Sequence, residues 1–338
     1  MPEPAPTLSR RAARANMRLH AADQARHARA SVADRVRRGV LLVSAALLLI
    51  GAAVAVTAVA GSPVAGETRL GEHSVAPPLP AAAPVTALPV PAQSMVTAAS
   101  CATPAVAAAL ETGTDADVIT AFGGAGALRD AVVGGRAPCV SLSAADRVWV
   151  VVNKRRPLDP PDYVPASFMR PEAMQRTADV RLRPDAAAAL TALVAAAADE
   201  GAGAIGLNSA YRSYASQQST YRGYVNSLGK ADADLTSARA GHSEHQTGIA
   251  ADLVACSRGC GGIEAFAGTS QASWLADNAW RFGFIVRYED GQTATTGYEW
   301  EPWHVRYLGA ELAAAYHEGG FHSLEAFFGL PAAPDYGD

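Results

Sequence analysis

Apolar and polar positions divide this chain into stretches of different texture. From Gly39 to Gly61 the sequence reads GVLLVSAALLLIGAAVAVTAVAG with no charged residue, and an apolar run of about 20 residues is enough to span the hydrocarbon core of a bilayer. Residues 62–98 are rich in Pro, Ala and Val, which predicts an extended, semi-rigid spacer. Within 99–145, PAVAAALETG and DADVITAFGGAGALRDAVVGG show helix-like patterns that end in glycine. The cluster Gly123-Gly124-Ala125-Gly126 lacks a preceding strand and the full glycine spacing of a phosphate loop, so it reads as a turn.

From Arg147 the pattern changes. VWVVVNK is a β-branched apolar run that predicts a strand, followed by a turn through Pro157, Pro160 and Pro161. Residues 184–200 predict a helix, with Pro184 near its start and Gly201 just past its end. AIGLNSAYRS then reads as a strand and YASQQSTYRGYVNSLG as a helix closed by Gly229. GIAADLVA is a strand, ASWLADNAWRFG a helix, FIVRYED a strand, WEPWHVRYLG a last strand or turn, and a helix follows. Helices and strands mixed without regular βαβ alternation point to an α+β fold.

Composition sharpens the domain plan. Residues 76–110 are dominated by Ala, Pro and Val and bury too little large apolar surface to make a core. All 5 tryptophans lie beyond residue 148, which places the packed domain in the second half. The net charge of −4 hides a basic arm, residues 1–38, with arginines from Arg10 to Arg38. Such an arm could bind nucleic acid, but the apolar run right after it makes membrane topology the better reading, with no nucleic-acid partner. Arginines before the run keep the amino terminus in the cytoplasm and place everything after residue 61 outside. Cleavage after Ala58-Val59-Ala60 as a signal peptide is the competing reading, and it exports the chain as well. The 4 cysteines, Cys101, Cys139, Cys256 and Cys260, all follow the run. Order and spacing favour the disulfides Cys101–Cys139 and Cys256–Cys260 in an oxidising compartment. The expected plan is a basic tail (1–38), an anchor (39–61), a linker (62–98), a disulfide-stapled helical unit (99–145) and a main domain (146–330).

Of the 8 histidines, His20 and His27 belong to the basic arm, His73 to the spacer, and His317 and His322 to the terminal helix region. His242, His245 and His304 remain. His245 precedes Asp252, a carboxylate inside an apolar strand that needs either a cation or an arginine such as Arg239 or Arg287. Glu301 stands three residues before His304, between Trp300 and Trp303, which could shield the pair from solvent. Two histidines and one carboxylate make a three-ligand zinc site with an open fourth position, and a further Glu supplies a base for water. Glu301 and His304 could instead pair with each other on a surface turn. His242 would close the open position as a ligand, so it reads as a loop or supporting residue.

Ser243 to Asp252, SEHQTGIAAD, resembles the SxHxxGxAxD motif of VanY-like D-alanyl-D-alanine carboxypeptidases. EPWH at 301–304 is similar to their ExxWH-type motif, and SAYRS at 209–213 with Gln218 to their SxYRS…Q segment. The likeness covers roughly residues 148–312, with the motifs in the family's order. It implies an α+β zinc fold shared with Hedgehog-like domains, an antiparallel sheet with packed helices. It implies zinc ligands His245, Asp252 and His304, with Glu301 as the base. Arg212 would then face the developing oxyanion, and Ser243 and Gln218 would hold the substrate backbone or its terminal carboxylate. The implied substrate is a peptidoglycan stem peptide ending in D-alanyl-D-alanine, met outside the membrane. An L-alanyl-D-glutamate endopeptidase and a non-catalytic envelope-binding domain are the alternatives. A serine DD-peptidase is disfavoured, because SLGK at 227–230 closes a helix and no KTG follows.

Overall fold

The computed structural model describes residues 99–338 apart from positions 173, 177–179 and 258. The expected basic arm, anchor and spacer lie outside the described residues. Among the described residues no helix is long and apolar enough to cross a membrane.

The first elements of the described residues are three short helices, α1 (Pro104–Thr112), α2 (Asp115–Phe122) and α3 (Ala125–Val133). Thr114 and Asp117 form a reciprocal capping box at the start of α2. The glycine cluster is a turn between α2 and α3, with Gly123 and Gly124 both at positive φ. Cys101 and Cys139 form a disulfide across this unit, and Cys256 pairs with Cys260, as the spacing predicted.

The main body is an α+β domain around a 5-stranded sheet of order β1-β2-β3-β5-β4. Its strands are β1 (Gln175–Arg176), β2 (Ile205–Ser209), β3 (Ala250–Ala255), β4 (Phe284–Tyr288) and β5 (Glu301–Tyr307). All pairings are antiparallel except β1 with β2. The longest helix among the described residues, α4 (Pro184–Asp199), starts at a proline whose fixed φ suits the first turn. It buries Ala186, Leu190, Leu193 and Ala197 on one stripe. With α7 (Ser270–Asn278) it covers one sheet face, where Ile205, Leu207, Leu253, Leu275, Phe284 and Val305 share a core. Two further helices, α5 (Tyr214–Leu228) and α6 (Lys230–Thr236), bury little; Gln217 is the buried residue of α5.

A second core joins the amino-terminal helices to the carboxy-terminal ones. After the short α8 (Thr293–Thr296) come α9 (Ala310–Glu318) and α10 (Leu324–Phe327). Leu312, Tyr316 and Phe327 pack there with Val118, Phe122 and Leu128. Fully burying a side chain of this size contributes about 1.5–3 kcal/mol.

One predicted strand is absent. VWVVVNK is buried throughout, but apart from an isolated bridge between Asn153 and Arg156 it does not pair as a strand. Its main chain is engaged otherwise. Val151 N–H donates to Leu142 O, and the Arg306 guanidinium donates to the carbonyls of Val148 (3.0 Å) and Val150 (2.7 Å). A buried run of β-branched residues looks the same in sequence whether its carbonyls meet a strand or a guanidinium.

Candidate active site

The site is built on β3 and β5 and on the turn before β3. Strand β3 is almost wholly buried, and Asp252 within it lies in register with His304 of β5. His245 sits in a 3-10 turn, Glu244–Thr247, which ends at Gly248 with φ of 73°. A Cβ on Gly248 would lie 3.0 Å from the Pro165 ring, so this turn needs glycine for both its φ and its space.

His245, Asp252 and His304 come together with one ligand atom each, all within 4.8 Å of one another. Asp252 divides its oxygens: Oδ2 lies 3.2 Å from His245 Nε2 and Oδ1 lies 3.1 Å from His304 Nδ1. Ligands at zinc distances in a tetrahedral site stand about 3.3 Å apart. The two imidazoles are perpendicular, with centroids 5.0 Å apart. Each has its remaining nitrogen engaged elsewhere. His245 Nδ1 is 2.7 Å from Ala210 O, and His304 Nε2 is 3.2 Å from Glu244 Oε2. This leaves Nε2 of His245 and Nδ1 of His304 to face the common point. Two nitrogens and a carboxylate oxygen, with no fourth side-chain ligand in the group, are the donor set and count of a catalytic zinc site.

Glu301 lies beside this cluster, with Oε2 3.7 Å from His304 Nδ1. Burial pushes its carboxyl up to about 8; His304 and Arg212 oppose the rise, and the charges of Asp252 and Glu244 add to it. Asp252 is held far below the usual range despite its burial, by His245 and His304. For His245 burial dominates and lowers the pKa, which favours the neutral imidazole. His304 is also buried, but hydrogen bonds to Asp252 and Glu244 and the charges of Asp252 and Glu301 outweigh that and raise it to about 10. Where carboxylates crowd an imidazole this closely, a cation is electrostatically welcome.

The remaining expected residues divide. Arg212 reaches the site: its Nη2 lies 3.9 Å from Asp252 Oδ2 and 3.4 Å from Ser209 Oγ, and its main-chain N–H donates to His245 O. Ser243 is buried at the start of the 3-10 turn, which its side chain does not cap. Gln218 is on the exposed side of α5. Its neighbour Gln217 is the glutamine that turns inward, donating to Ser237 Oγ and Ala238 O, with its Oε1 buried and unpartnered. His242 bonds to Asn153 O through Nδ1 and lies against Tyr336, outside the ligand group. The two tryptophans do not form the expected shield: Trp303 packs against the main core and Trp300 is 46% exposed. The ring beside His304 is Tyr288, at 4.9 Å. Glu244 had no assigned role, because its partners Arg287 and Arg306 lie on strands far along the sequence.

The family model for VanY, D-alanyl-D-alanine carboxypeptidase, matches residues 179–310 and so spans all three candidate ligands. YodJ of Bacillus subtilis is 35% identical over 192 residues, which cover 56% of this chain and 69% of YodJ. The chain belongs to the VanY family. It is accordingly a peptidase. Another relative is the bifunctional D-Ala-D-Ala dipeptidase and D-Ala-D-Ala carboxypeptidase VanXYC of Enterococcus gallinarum, 30% identical over 47% of this chain and 82% of that one. Among solved structures, the LdcB LD-carboxypeptidase is 34% identical with a TM-score of 0.50, over 55% of this chain and 87% of LdcB. The α+β domain with its antiparallel sheet is thus the architecture of this group of carboxypeptidases.

Proposed function

We propose that this VanY-family peptidase is a zinc-dependent D-alanyl-D-alanine carboxypeptidase that trims peptidoglycan stem peptides outside the cytoplasmic membrane. The observation that carries the reading is the convergence of His245, Asp252 and His304 with Glu301 3.7 Å from His304 Nδ1. His245 Nε2, Asp252 and His304 Nδ1 would hold the ion. Zinc bound there supplies a Lewis acid that makes water nucleophilic near neutral pH and polarises a carbonyl.

The side chains supply the rest. Glu301, as the carboxylate that a cation beside it would favour, would take a proton from the attacking water and return it to the leaving amine. Arg212, anchored through its N–H to His245 O, presents its guanidinium to the oxygen that becomes negative. Ser243 and Gln218 are the proposed contacts for the substrate backbone or terminal carboxylate, and Gln217, with its unpartnered Oε1, joins them as a candidate.

Segment 39–61 would hold the chain in the membrane, with residues 62–98 as spacer and the disulfide-bearing domains outside. The two disulfides support an oxidising compartment.

Mass spectrometry of defined stem peptides incubated with the protein, with and without a chelator, tests the proposal. Loss of one terminal D-alanine from a pentapeptide, abolished by the chelator, is the expected result. The likeness to LdcB favours a second reading, cleavage of a tetrapeptide at an L,D bond. That product, or an internal L-alanyl-D-glutamate cut, would replace the D,D assignment.

A further inference from the structure

A set of four buried charges lies behind His304, and the reaction uses none of them directly. Glu244, Arg287, Arg306 and Glu325 are each 2% exposed or less. Arg287 spans both carboxylates, donating from Nε to Glu244 Oε1 (2.9 Å) and from its two terminal nitrogens to Glu325. Arg306 donates to the same Glu244 Oε1 at 2.7 Å and, with its other terminal nitrogen, to the carbonyls of Val148 and Val150. Glu325 also accepts from Asn153 Nδ2.

Replacing such a set with apolar side chains is often neutral or stabilising, so stability alone does not account for it. Its geometry suggests another role. Both guanidinium groups converge on Oε1 of Glu244, which leaves Oε2 for Nε2 of His304 at 3.2 Å. A carboxylate in that place accepts a hydrogen bond and donates none. With an ion on Nδ1 in place of the Asp252 contact, it would keep the ring hydrogen of His304 on Nε2.

We propose that Glu244, clamped by Arg287 and Arg306, is a positioning residue that holds the Nε2–H of His304 and so presents Nδ1 to the metal. The inference rests on the zinc reading above. Partners of this kind orient a metal-binding imidazole and raise its basicity, and their loss weakens metal affinity about 10–100-fold. Arg306 ties the arrangement to residues 148–150, and Arg287 ties it to α10. The orientation of one ligand is thereby supported by segments outside both motifs that carry ligands.

The test measures zinc affinity of the full chain by competition with a chromophoric chelator, with thermal melting as the check on folding. Glu244→Met combined with Arg306→Met removes the acceptor and one cation together and leaves Arg287 paired with Glu325. This variant should bind zinc about 10–100-fold more weakly. Arg306→Met alone, which keeps the Glu244 carboxylate on His304 and the Arg287 half of its clamp, should lose less than the double variant, and so should Glu244→Gln, which keeps an acceptor oxygen. Parent-like affinity in the folded double variant overturns the proposal, as does an equal loss in Arg306→Met. Should the double variant fail to fold, nitrogen-15 spectra of the zinc-loaded parent decide: a ring proton on Nε2 of His304 supports the role, and one on Nδ1 overturns it. A parent chain that binds no zinc sinks the metal site itself, a different failure.

Discussion

Glu301 and His304 stand on one strand at a spacing that brings a carboxyl oxygen within 3.7 Å of a ligand nitrogen. Their tasks separate on mutation. Glu301→Gln should lower kcat by about 10²–10⁴-fold, the range of a lost general acid–base group, while zinc stoichiometry measured by metal analysis stays that of the parent. Activity near the parent level would remove Glu301 from the proton transfer. The site also fixes the sign of a pH effect. His304 is raised to about 10 by the carboxylates around it, so below that value its ring carries a proton that an incoming zinc ion must displace. Zinc affinity should therefore rise with pH up to about 10, by about tenfold per unit where one proton is released. Calorimetry in buffers of different ionisation enthalpy would register that proton. The three candidate ligands were legible in the sequence because spacing and residue type are enough to suggest them, and the fold brings them together. Glu244 was not, although it adjoins His245, because a carboxylate acquires a role only through partners such as Arg287 and Arg306 that folding brings to it. Gln217 and Gln218 are adjacent, and which of them faces inward depends on the rotation of α5.

At the scale of elements, the pattern of apolar positions located most helices and strands. It misread VWVVVNK, since periodicity reports burial and not the partner of each carbonyl. Close packing between elements was equally hidden. Gly206 of β2 lies so near the second disulfide that a Cβ would sit 2.3 Å from Cys256 Sγ. Gly206→Ala should therefore destabilise the domain by about 1–3 kcal/mol, the usual cost of overpacking, read as a lower midpoint in urea. An unchanged midpoint would mean that the strand or the disulfide loop shifts at little cost.

For the molecule as a whole, the amino-terminal helices and the carboxy-terminal helices complete one another. Sequence reading placed 99–145 as a unit of its own, because the residues it packs against lie far along the chain. Leu312 and Phe327 share a core with Val118 and Leu128. A fragment starting at residue 146 should thus expose that half-core, melt at a lower temperature than one starting at residue 99 and aggregate on heating. Scanning calorimetry with light scattering compares the two. Equal melting would show that the peptidase domain stands without its helical partner.

The two imidazoles differ in what faces their outer nitrogens. For His245 it is the carbonyl of Ala210, an atom that any residue at that position would provide. For His304 it is a side-chain oxygen, present only while residue 244 carries a suitable group. Random substitution at these two outer contacts can therefore unseat one ring and not the other. Damage to this candidate metal centre from outside its ligand set would enter at residue 244, in the turn that carries His245, and would be felt by the ring on β5.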